Sequence, residues 1–241
     1  MNVLLFDASE ISASGHVRVA GARAAHLRQV LNVTPGQTVR IGVIDGPLGE
    51  GCVESVGEDA VDLCCTHHPR TPERPRVDLL LALPRPKVMR RLWAQLAAMG
   101  VGRIILTNAE RVERHYFDTH VLTPETYRPL LIEGLQQARD TRVPDVSIHR
   151  RFKVLIEDDL AGLCGPARRV VANPGATTSA ADVLRGTGAE RVLLAVGPEG
   201  GWNAFELALL EAHGFIPIGM GSRTLRTDTA CIALLALVLA A

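Results

Sequence analysis

Several common functional motifs are absent from this 241-residue sequence. It contains no G-x-x-x-x-G-K-[ST] segment, which excludes a P-loop, and no H-E-x-x-H segment that would indicate a zinc site. Its five cysteines are odd in number and show no C-x-x-C spacing, a pattern typical of reduced thiols rather than of a disulfide framework. We therefore expect a cytoplasmic protein without a bound metal.

The chain also lacks a net charge and a long apolar run. Lys plus Arg and Asp plus Glu both number 26, so the total charge favours no particular partner. No basic-then-apolar leader opens the chain, and the apolar tail 230–241 has only twelve residues, whereas a membrane span needs about 20. This pattern predicts a buried terminal helix and no membrane partner.

Basic residues are nevertheless concentrated in a few segments. A local basic face is compatible with nucleic acid, although solvated helix faces would produce the same runs. If the partner is a nucleic acid, the expected contacts are Arg85, Lys87, Arg90, Arg91 and Arg142.

Two parts of the chain differ in hydrophobic rhythm. Up to residue 70, short apolar-alternating runs separated by turn residues predict a small antiparallel β-barrel, interrupted by one short helix around 22–31. Segment 68–75 carries three prolines and is the predicted linker. From residue 76 to 241, continuous apolar runs alternate with helical periodicity, which predicts an α/β domain with a mostly parallel sheet and helices on both faces.

Three loops rich in Gly or Pro each follow a predicted buried strand. They are 172–176, 197–203 and 219–230. In open α/β sheets, ligands bind at the carboxyl ends of the strands, and glycines allow a ligand to approach the backbone closely. The third loop also leads into the last helix, whose first turn exposes amide groups. We predict that the three loops form one pocket, although any one loop alone could be only a tight turn.

The second and third loops resemble the signature of the SPOUT superfamily of RNA methyltransferases. The match is best to the bacterial family that methylates N3 of a uridine in small-subunit ribosomal RNA. That family reads approximately "GPEGG…E" and "LG-x-R-x-LR-x-ETA", as do Gly197–Gly201 with Glu206, and 219–230, in this chain. Weaker matches extend over most of the sequence, such as Arg142-Val143-Pro144 for "R-VP".

The resemblance implies a fold and a set of site residues. It implies a PUA-like barrel (1–70) followed by a trefoil-knotted α/β domain (76–241), a homodimer, S-adenosylmethionine as cofactor, and ribosomal RNA or the small ribosomal subunit as partner. Knots are rare exceptions to ordinary topology. The expected cofactor-binding residues are Ala172, Asn173, Pro174, Gly197, Pro198, Glu199, Gly200, Gly201, Gly219, Met220, Gly221, Leu225, Arg226 and Thr227.

Arg226 and Glu199 are the predicted catalytic residues. A cation such as Arg226 would stabilise the negative charge that develops on uracil when N3 loses its proton. Glu199 is a candidate base or a positioning group. Only a single-stranded or splayed nucleotide could reach such a pocket.

The chain departs from the family pattern at several positions. A family "K-x-x-ELGV" segment has Gln95 and Ala98 in place of the lysine and the glutamate, and an "EQ-x-GR" segment ends at Asp140. These changes leave open a non-catalytic or retargeted RNA-binding protein. A separate hypothesis is a small-molecule enzyme with a nucleotide cofactor, for which the basic segments and the barrel would be incidental.

Overall fold

A computed structural model describes residues 3–241, which form two compact units. The first unit comprises the described residues up to Arg74 together with Leu135–Val143, and the second comprises Pro75–Gly134 and Pro144–Ala241. The predicted second domain had included residues 135–143. In the structure, these residues belong to the first unit. After the helix that ends at Ala138, the Thr141 hydroxyl donates to Gly46 O (2.6 Å) and so bonds this segment to that unit.

The first unit is built on a five-stranded sheet in the order β1-β3-β4-β5-β2. Its strands are β1 (Leu4–Phe6), β2 (His16–Ala20), β3 (Thr38–Val43), β4 (Leu48–Val56) and β5 (Ala60–His67), with α1 (Gly21–Gln29) after β2. In β2, Val17 and Val19 are buried between exposed neighbours, as alternation predicts. They pack in a core with Phe6, Leu27 and Leu63. The strands were predicted to be wholly antiparallel, which is wrong for β1, since it pairs in parallel with β3.

The second unit contains a six-stranded sheet in the order β11-β9-β10-β6-β7-β8, and every pairing in it is parallel. The strands are β6 (Val77–Ala82), β7 (Val101–Thr107), β8 (Asp145–His149), β9 (Arg168–Ala172), β10 (Val192–Val196) and β11 (Ile216–Ile218). All residues of β6 and β10 are buried, because both strands lie inside the sheet. The predicted α/β architecture is confirmed, whereas the partly exposed β8 had not been predicted.

Helices connect these strands. They are α2 (Pro86–Ala98), α3 (Pro124–Ala138), α4 (Phe152–Val154), α5 (Leu160–Leu163), α6 (Ala180–Leu184), α7 (Ala204–Ala212) and α8 (Thr227–Ala240), with one π-helical turn at Leu155–Asp159. Helix α2 buries Leu92, Trp93 and Leu96 on one face, and Gly100 follows with φ +71°, a left-handed conformation that suits glycine at a helix end.

The terminal apolar segment is helical, as predicted. In α8, Cys231, Leu234, Leu235 and Val238 are buried. Among the described residues, no helix is both long enough and apolar enough to span a membrane.

Candidate active site

The three predicted loops meet at one edge of the second unit's sheet. Strands β11, β9 and β10 are parallel neighbours, so the loops that follow them leave from the same edge. The backbone joins two of them, since Asn173 N donates to Ile218 O and Gly219 N donates to Thr178 O, both at 2.9 Å. The Thr227 hydroxyl donates to Gly197 O (3.4 Å). Loop 197–203 is therefore tied to the start of α8.

A small cavity, here called the loop cavity, lies between the first and third loops. Its volume is about 50 Å³, and its lining residues include Ala172, Asn173, Pro174, Gly219, Met220, Gly221 and Leu225. Ile218 and Leu234 add apolar surface that suits a flat heterocycle. A Cβ atom on Gly219 would lie 2.8 Å from the carbonyl oxygen of Ala176, so this close approach requires glycine.

A larger cavity, here called the basic cavity, shares Leu225 with the loop cavity. Its volume is about 610 Å³, and it is lined by Arg85, Lys87, Val88, Arg91, Glu199, Thr224, Leu225, Arg226, Thr227 and Asp228. Pockets for small ligands measure about 300–1,000 Å³. The loop cavity thus holds only part of a nucleoside in this conformation, and the remainder would extend into the basic cavity.

Ion pairs hold part of the basic cavity in place. Arg85 Nε lies 2.9 Å from Glu199 Oε2, and an Arg91 guanidinium nitrogen lies 3.1 Å from Asp228 Oδ2. Among residues 3–241, neither Lys87 nor Arg226 has a carboxylate partner. Arg226 is exposed at the N-cap of α8, so its charge is available to an anionic group in the cavity.

Phe152 and Arg111, which lie outside the three loops, support the Gly197–Trp202 segment. A Cβ atom on Gly197 would lie 3.1 Å from the indole of Trp202, and this indole packs against Phe152 with ring centroids 5.3 Å apart. The Arg111 guanidinium donates to Gly200 O. Sequence reasoning missed Arg111, because it lies 89 residues from its acceptor.

Helix α7 starts with a capping box formed by Asn203 and Glu206. The Glu206 amide donates to Asn203 Oδ1, and the Asn203 amide donates to Glu206 Oε2, both at 2.8 Å. Two orphan amides of the first turn are thereby satisfied.

The structure thus groups most, but not all, of the predicted site residues around the two cavities. Gly197, Pro198, Gly200, Gly201 and Arg90 line neither cavity. Arg142 lies in the first unit, where its guanidinium donates to the carbonyls of Pro72 (2.6 Å) and Asp45 (3.2 Å). The unpredicted members of the loop cavity are Ile218, Arg223, Ala230 and Leu234. Arg223 and Ala230 belong to the predicted loop 219–230, and Ile218 directly precedes it, whereas Leu234 lies further along α8 and is identified only by the packing of that helix against the loops.

Cys231 lies in α8, directly after the loop-cavity residue Ala230. Complete burial raises the pKa of its thiol to about 12, and the nearby Asp228 carboxylate acts in the same direction. The thiol therefore stays protonated at neutral pH, which excludes it as a nucleophile there.

Comparisons relate this chain to known proteins. Residues 71–239 match the family model described as RNA methyltransferase domain. The chain is similar to Ribosomal RNA small subunit methyltransferase E of Treponema pallidum, with 27% identity over 100% of this chain and 91% of the relative. It also resembles Ribosomal RNA small subunit methyltransferase E 1 of Borreliella burgdorferi, with 22% identity over 97% of this chain and 95% of the relative.

A solved structure shares the fold. It is Ribosomal RNA small subunit methyltransferase E from Neisseria gonorrhoeae bound to S-adenosyl methionine, with a TM-score of 0.77 and 19% identity over 99% of this chain and 97% of that chain. The family model covers well over half of the sequence, 169 of 241 residues from 71 to 239. The chain therefore belongs to the RNA methyltransferase domain family.

Proposed function

We propose that this protein uses S-adenosylmethionine to methylate a uridine of small-subunit ribosomal RNA, at N3, in the cytoplasm. The observation that carries the proposal is the position of Arg226, which lines the basic cavity directly beside Leu225, the residue shared with the loop cavity. A nucleotide in the basic cavity would therefore lie next to a cofactor held by the three loops. The names of the relatives support methylation of small-subunit ribosomal RNA.

The loop cavity is compatible with an adenosine-containing cofactor. Apolar side chains of Ile218, Leu225 and Leu234 suit an adenine ring, and the missing side chain of Gly219 keeps the loop backbone close to Ala176. Of the predicted cofactor residues 197–201, Glu199 lines the basic cavity and the other four line neither cavity, so we propose that this loop supports the site from behind, where the Thr227 hydroxyl donates to Gly197 O. When bound, the cofactor supplies an electrophilic methyl group on a sulfonium.

Arg226 would act on the substrate. Uracil N3 would give up its proton to solvent, and the negative charge would spread to the neighbouring carbonyl oxygens. The nitrogen lone pair would then form the bond to the methyl carbon while the bond from that carbon to sulfur breaks and the electron pair stays on sulfur. A guanidinium close to the carbonyl oxygens stabilises the negative charge that develops before the transfer. Glu199 is paired with Arg85, so we propose that it positions Arg85 in the cavity rather than removing the proton.

The basic cavity suits RNA because it presents cations from two elements. Arg85, Lys87 and Arg91 come from the start of α2, and Arg226 comes from the start of α8. Backbone phosphates on either side of a splayed nucleotide could contact them. Arg90 and Arg142, also predicted as RNA contacts, lie outside this cavity.

We further propose that the chain is a homodimer, that residues 1–70 form a PUA-like RNA-binding barrel, and that residues 76–241 form a trefoil-knotted catalytic domain. The all-parallel sheet with β9 between β10 and β11 supports the last point, and the five-stranded sheet with α1 supports the barrel. Light scattering of the purified protein tests the dimer, since a monomeric mass at micromolar concentration would contradict it.

The alternative of a non-catalytic protein rested on Gln95, Ala98 and Asp140. None of the three lines the loop cavity or the basic cavity. The Asp140 carboxylate instead accepts the amides of Thr141 (2.6 Å) and Arg142 (3.1 Å), so it has a structural use. The departures from the family pattern therefore do not favour loss of catalysis.

Arg226→Ala tests the proposed function. We expect transfer of a labelled methyl group to small ribosomal subunits that lack the modification to fall at least 100-fold, since removal of one such stabilising group typically costs this much. Cofactor affinity measured by calorimetry should change by less than threefold. Arg185→Ala is the matched control, because Arg185 is exposed and pairs only with Asp182 on its own helix turn. Wild-type rates in Arg226→Ala would remove this arginine from the mechanism.

A further inference from the structure

A third cavity lies beside the Gly197–Trp202 segment and has no role in the chemistry described above. Its volume is about 660 Å³, which is within the range of small-ligand pockets. One wall is the segment that follows β7, including Asn108, Glu110 and Glu113, and the opposing residues are Asn203 and Phe205 at the start of α7.

The floor of the third cavity is fixed by a buried carboxylate. Glu206 is only 3% exposed. One of its oxygens accepts the Glu110 amide (2.7 Å), and the other accepts the Asn203 amide (2.8 Å). This side chain therefore joins the segment after β7 to the start of α7 and keeps the cavity preformed.

The polar groups of the third cavity include both hydrogen-bond acceptors and basic side chains, since Arg114, His115 and Lys153 line it together with Asn108, Glu110 and Glu113. The Oδ1 atom of Asn108 is buried and has no partner among the described residues, and such an atom costs free energy unless a donor reaches it. The carboxylates of Glu110 and Glu113 also line the cavity, and ionised carboxylates only accept. The acceptors suit the N–H groups of a ligand, and the cationic side chains of Arg114 and Lys153 suit its phosphate.

Phe205 adds an aromatic surface to this cavity. It is 57% exposed, so the face of its ring is available to a ligand in the cavity. Exposed aromatic rings in RNA-binding proteins serve as platforms on which unstacked bases lie. An aromatic ring beside acceptor groups matches a nucleobase with an exocyclic amino group.

The same chain segment borders the basic cavity and the third cavity. Glu199 lines the basic cavity, and Asn203, four residues later, lines the third cavity. Four residues of extended chain span at most about 14 Å, a separation that neighbouring nucleotides of a splayed strand can bridge. Arg111 holds the segment between them through the carbonyl of Gly200.

We propose that the third cavity binds a nucleotide that neighbours the methylated uridine. Its base stacks on Phe205, and its exocyclic amino group donates to Asn108 Oδ1. The cavity is thus a specificity subsite, and this inference rests on the proposed function because it assumes an RNA substrate.

Abasic replacement in a synthetic RNA hairpin tests the subsite. Each nucleotide flanking the target uridine is replaced in turn by an abasic residue. For the wild-type protein, we expect one such replacement to raise KM at least tenfold, as loss of one stacked base does in other RNA-binding proteins. Replacements at the other flanking positions should change KM less than threefold.

Three variants of the cavity and one control are measured on the same RNAs. Phe205→Ala and Asn108→Leu should each raise KM for intact RNA about tenfold, leave kcat and cofactor affinity within twofold, and lose the sensitivity to the abasic site. Phe205→Leu keeps apolar bulk but not the ring, so it should behave like Phe205→Ala. Ile216→Ala, at an exposed apolar position on β11, is the control and should keep wild-type values.

The outcomes separate this proposal from the proposed function. If the wild type methylates RNA but no flanking abasic site changes KM, or if the variants keep the wild-type KM, the proposed subsite is wrong while the proposed function stands. If Phe205→Ala changes only the mass measured by light scattering, the surface is a protein contact and the subsite is again overturned. If the wild type binds the RNA with abasic sensitivity, measured by fluorescence anisotropy, yet transfers no methyl group, the proposed function fails and the subsite stands.

Discussion

Ion pairing separates the cations of the basic cavity into two kinds. Arg85 and Arg91 are paired with Glu199 and Asp228, so part of their charge is compensated within the cavity. Lys87 and Arg226 have no such partner among residues 3–241. An anionic substrate would therefore meet the latter two most strongly, whereas the paired arginines would orient it.

Glu199→Gln distinguishes a positioning role from that of a base. The amide keeps the shape of the side chain but not its charge, so the contact with Arg85 weakens. We expect KM for RNA to rise about three- to tenfold while kcat stays within threefold, measured from steady-state methyl transfer. If kcat instead fell at least 100-fold and KM did not change, Glu199 would be identified as the base.

The buried thiol of Cys231 makes stability depend on alkaline pH. Its pKa is about 12 in the folded protein, against a reference of 9.0. Above pH 9 the unfolded chain loses this proton while the folded chain keeps it. The thiol's contribution is thus complete below pH 9 and declines as pH rises towards 12, by about 1.4 kcal/mol per pH unit.

Cys231→Ala measures this contribution. Between pH 8 and 10.5, the free energy of unfolding should fall about 2 kcal/mol further in the wild type than in the variant, as measured by urea titration. Burial also raises the pKa of Cys164 and Tyr127, but these groups are common to both proteins. Equal pH dependence in the two proteins would contradict the assignment.

At the scale of elements, the conformation of the loop after β11 depends on the close approach of the Gly219 backbone to the Ala176 backbone. Gly219 forms an isolated parallel bridge with Ser179, and its carbonyl accepts the Ala180 amide (2.9 Å). A Cβ atom added at Gly219 would lie 2.8 Å from the carbonyl oxygen of Ala176, which belongs to the backbone and cannot rotate away. A side chain at this position therefore displaces one loop from the other.

Gly219→Ala should consequently weaken S-adenosylmethionine binding at least tenfold, measured by calorimetry. Gly175→Ala is the matched control in the neighbouring loop, since its Cβ would have an ordinary contact at 3.5 Å with the Asn173 side chain. It should keep cofactor affinity within twofold. Similar affinities for the two variants would show that the loops do not hold the cofactor.

At the scale of the whole molecule, a neutral protein must bind RNA through a local cluster of charge. The net charge is zero, so long-range attraction is weak and the contacts in the basic cavity have to supply the electrostatic part of binding. Each phosphate neutralised on a single strand contributes about 0.7 to the slope of log affinity against log salt concentration.

Lys87→Gln should reduce that slope by roughly 0.7, because it removes one phosphate contact. The measurement is RNA binding by fluorescence anisotropy between low and moderate salt, and Arg185→Gln is the control that should leave the slope unchanged. If Lys87→Gln does not alter the slope, Lys87 does not contact an RNA phosphate.

Sequence patterns located most elements of the catalytic fold because each has a local cause. Continuous apolar runs within 76–241 marked strands such as β6 and β10, which are buried on both faces. Strand β8 was missed because it lies at a sheet edge and is partly exposed, so its pattern lacks a continuous apolar run. The parallel pairing of β1 with β3 was missed because the sequence of residues 4–6 does not indicate which strand pairs with them or in which direction.

By itself, the sequence determined the composition of the site loops: glycines where backbones approach, and Arg226 directly before the final helix. The tertiary structure decided which loops become neighbours, which arginines are paired, and which acceptors stay without a donor in the third cavity. The physical reason is distance along the chain. Caps and periodicity arise from residues a few positions apart, whereas contacts such as Arg111 with Gly200 and Arg91 with Asp228 join residues 89 and 137 positions apart, and only folding brings them together.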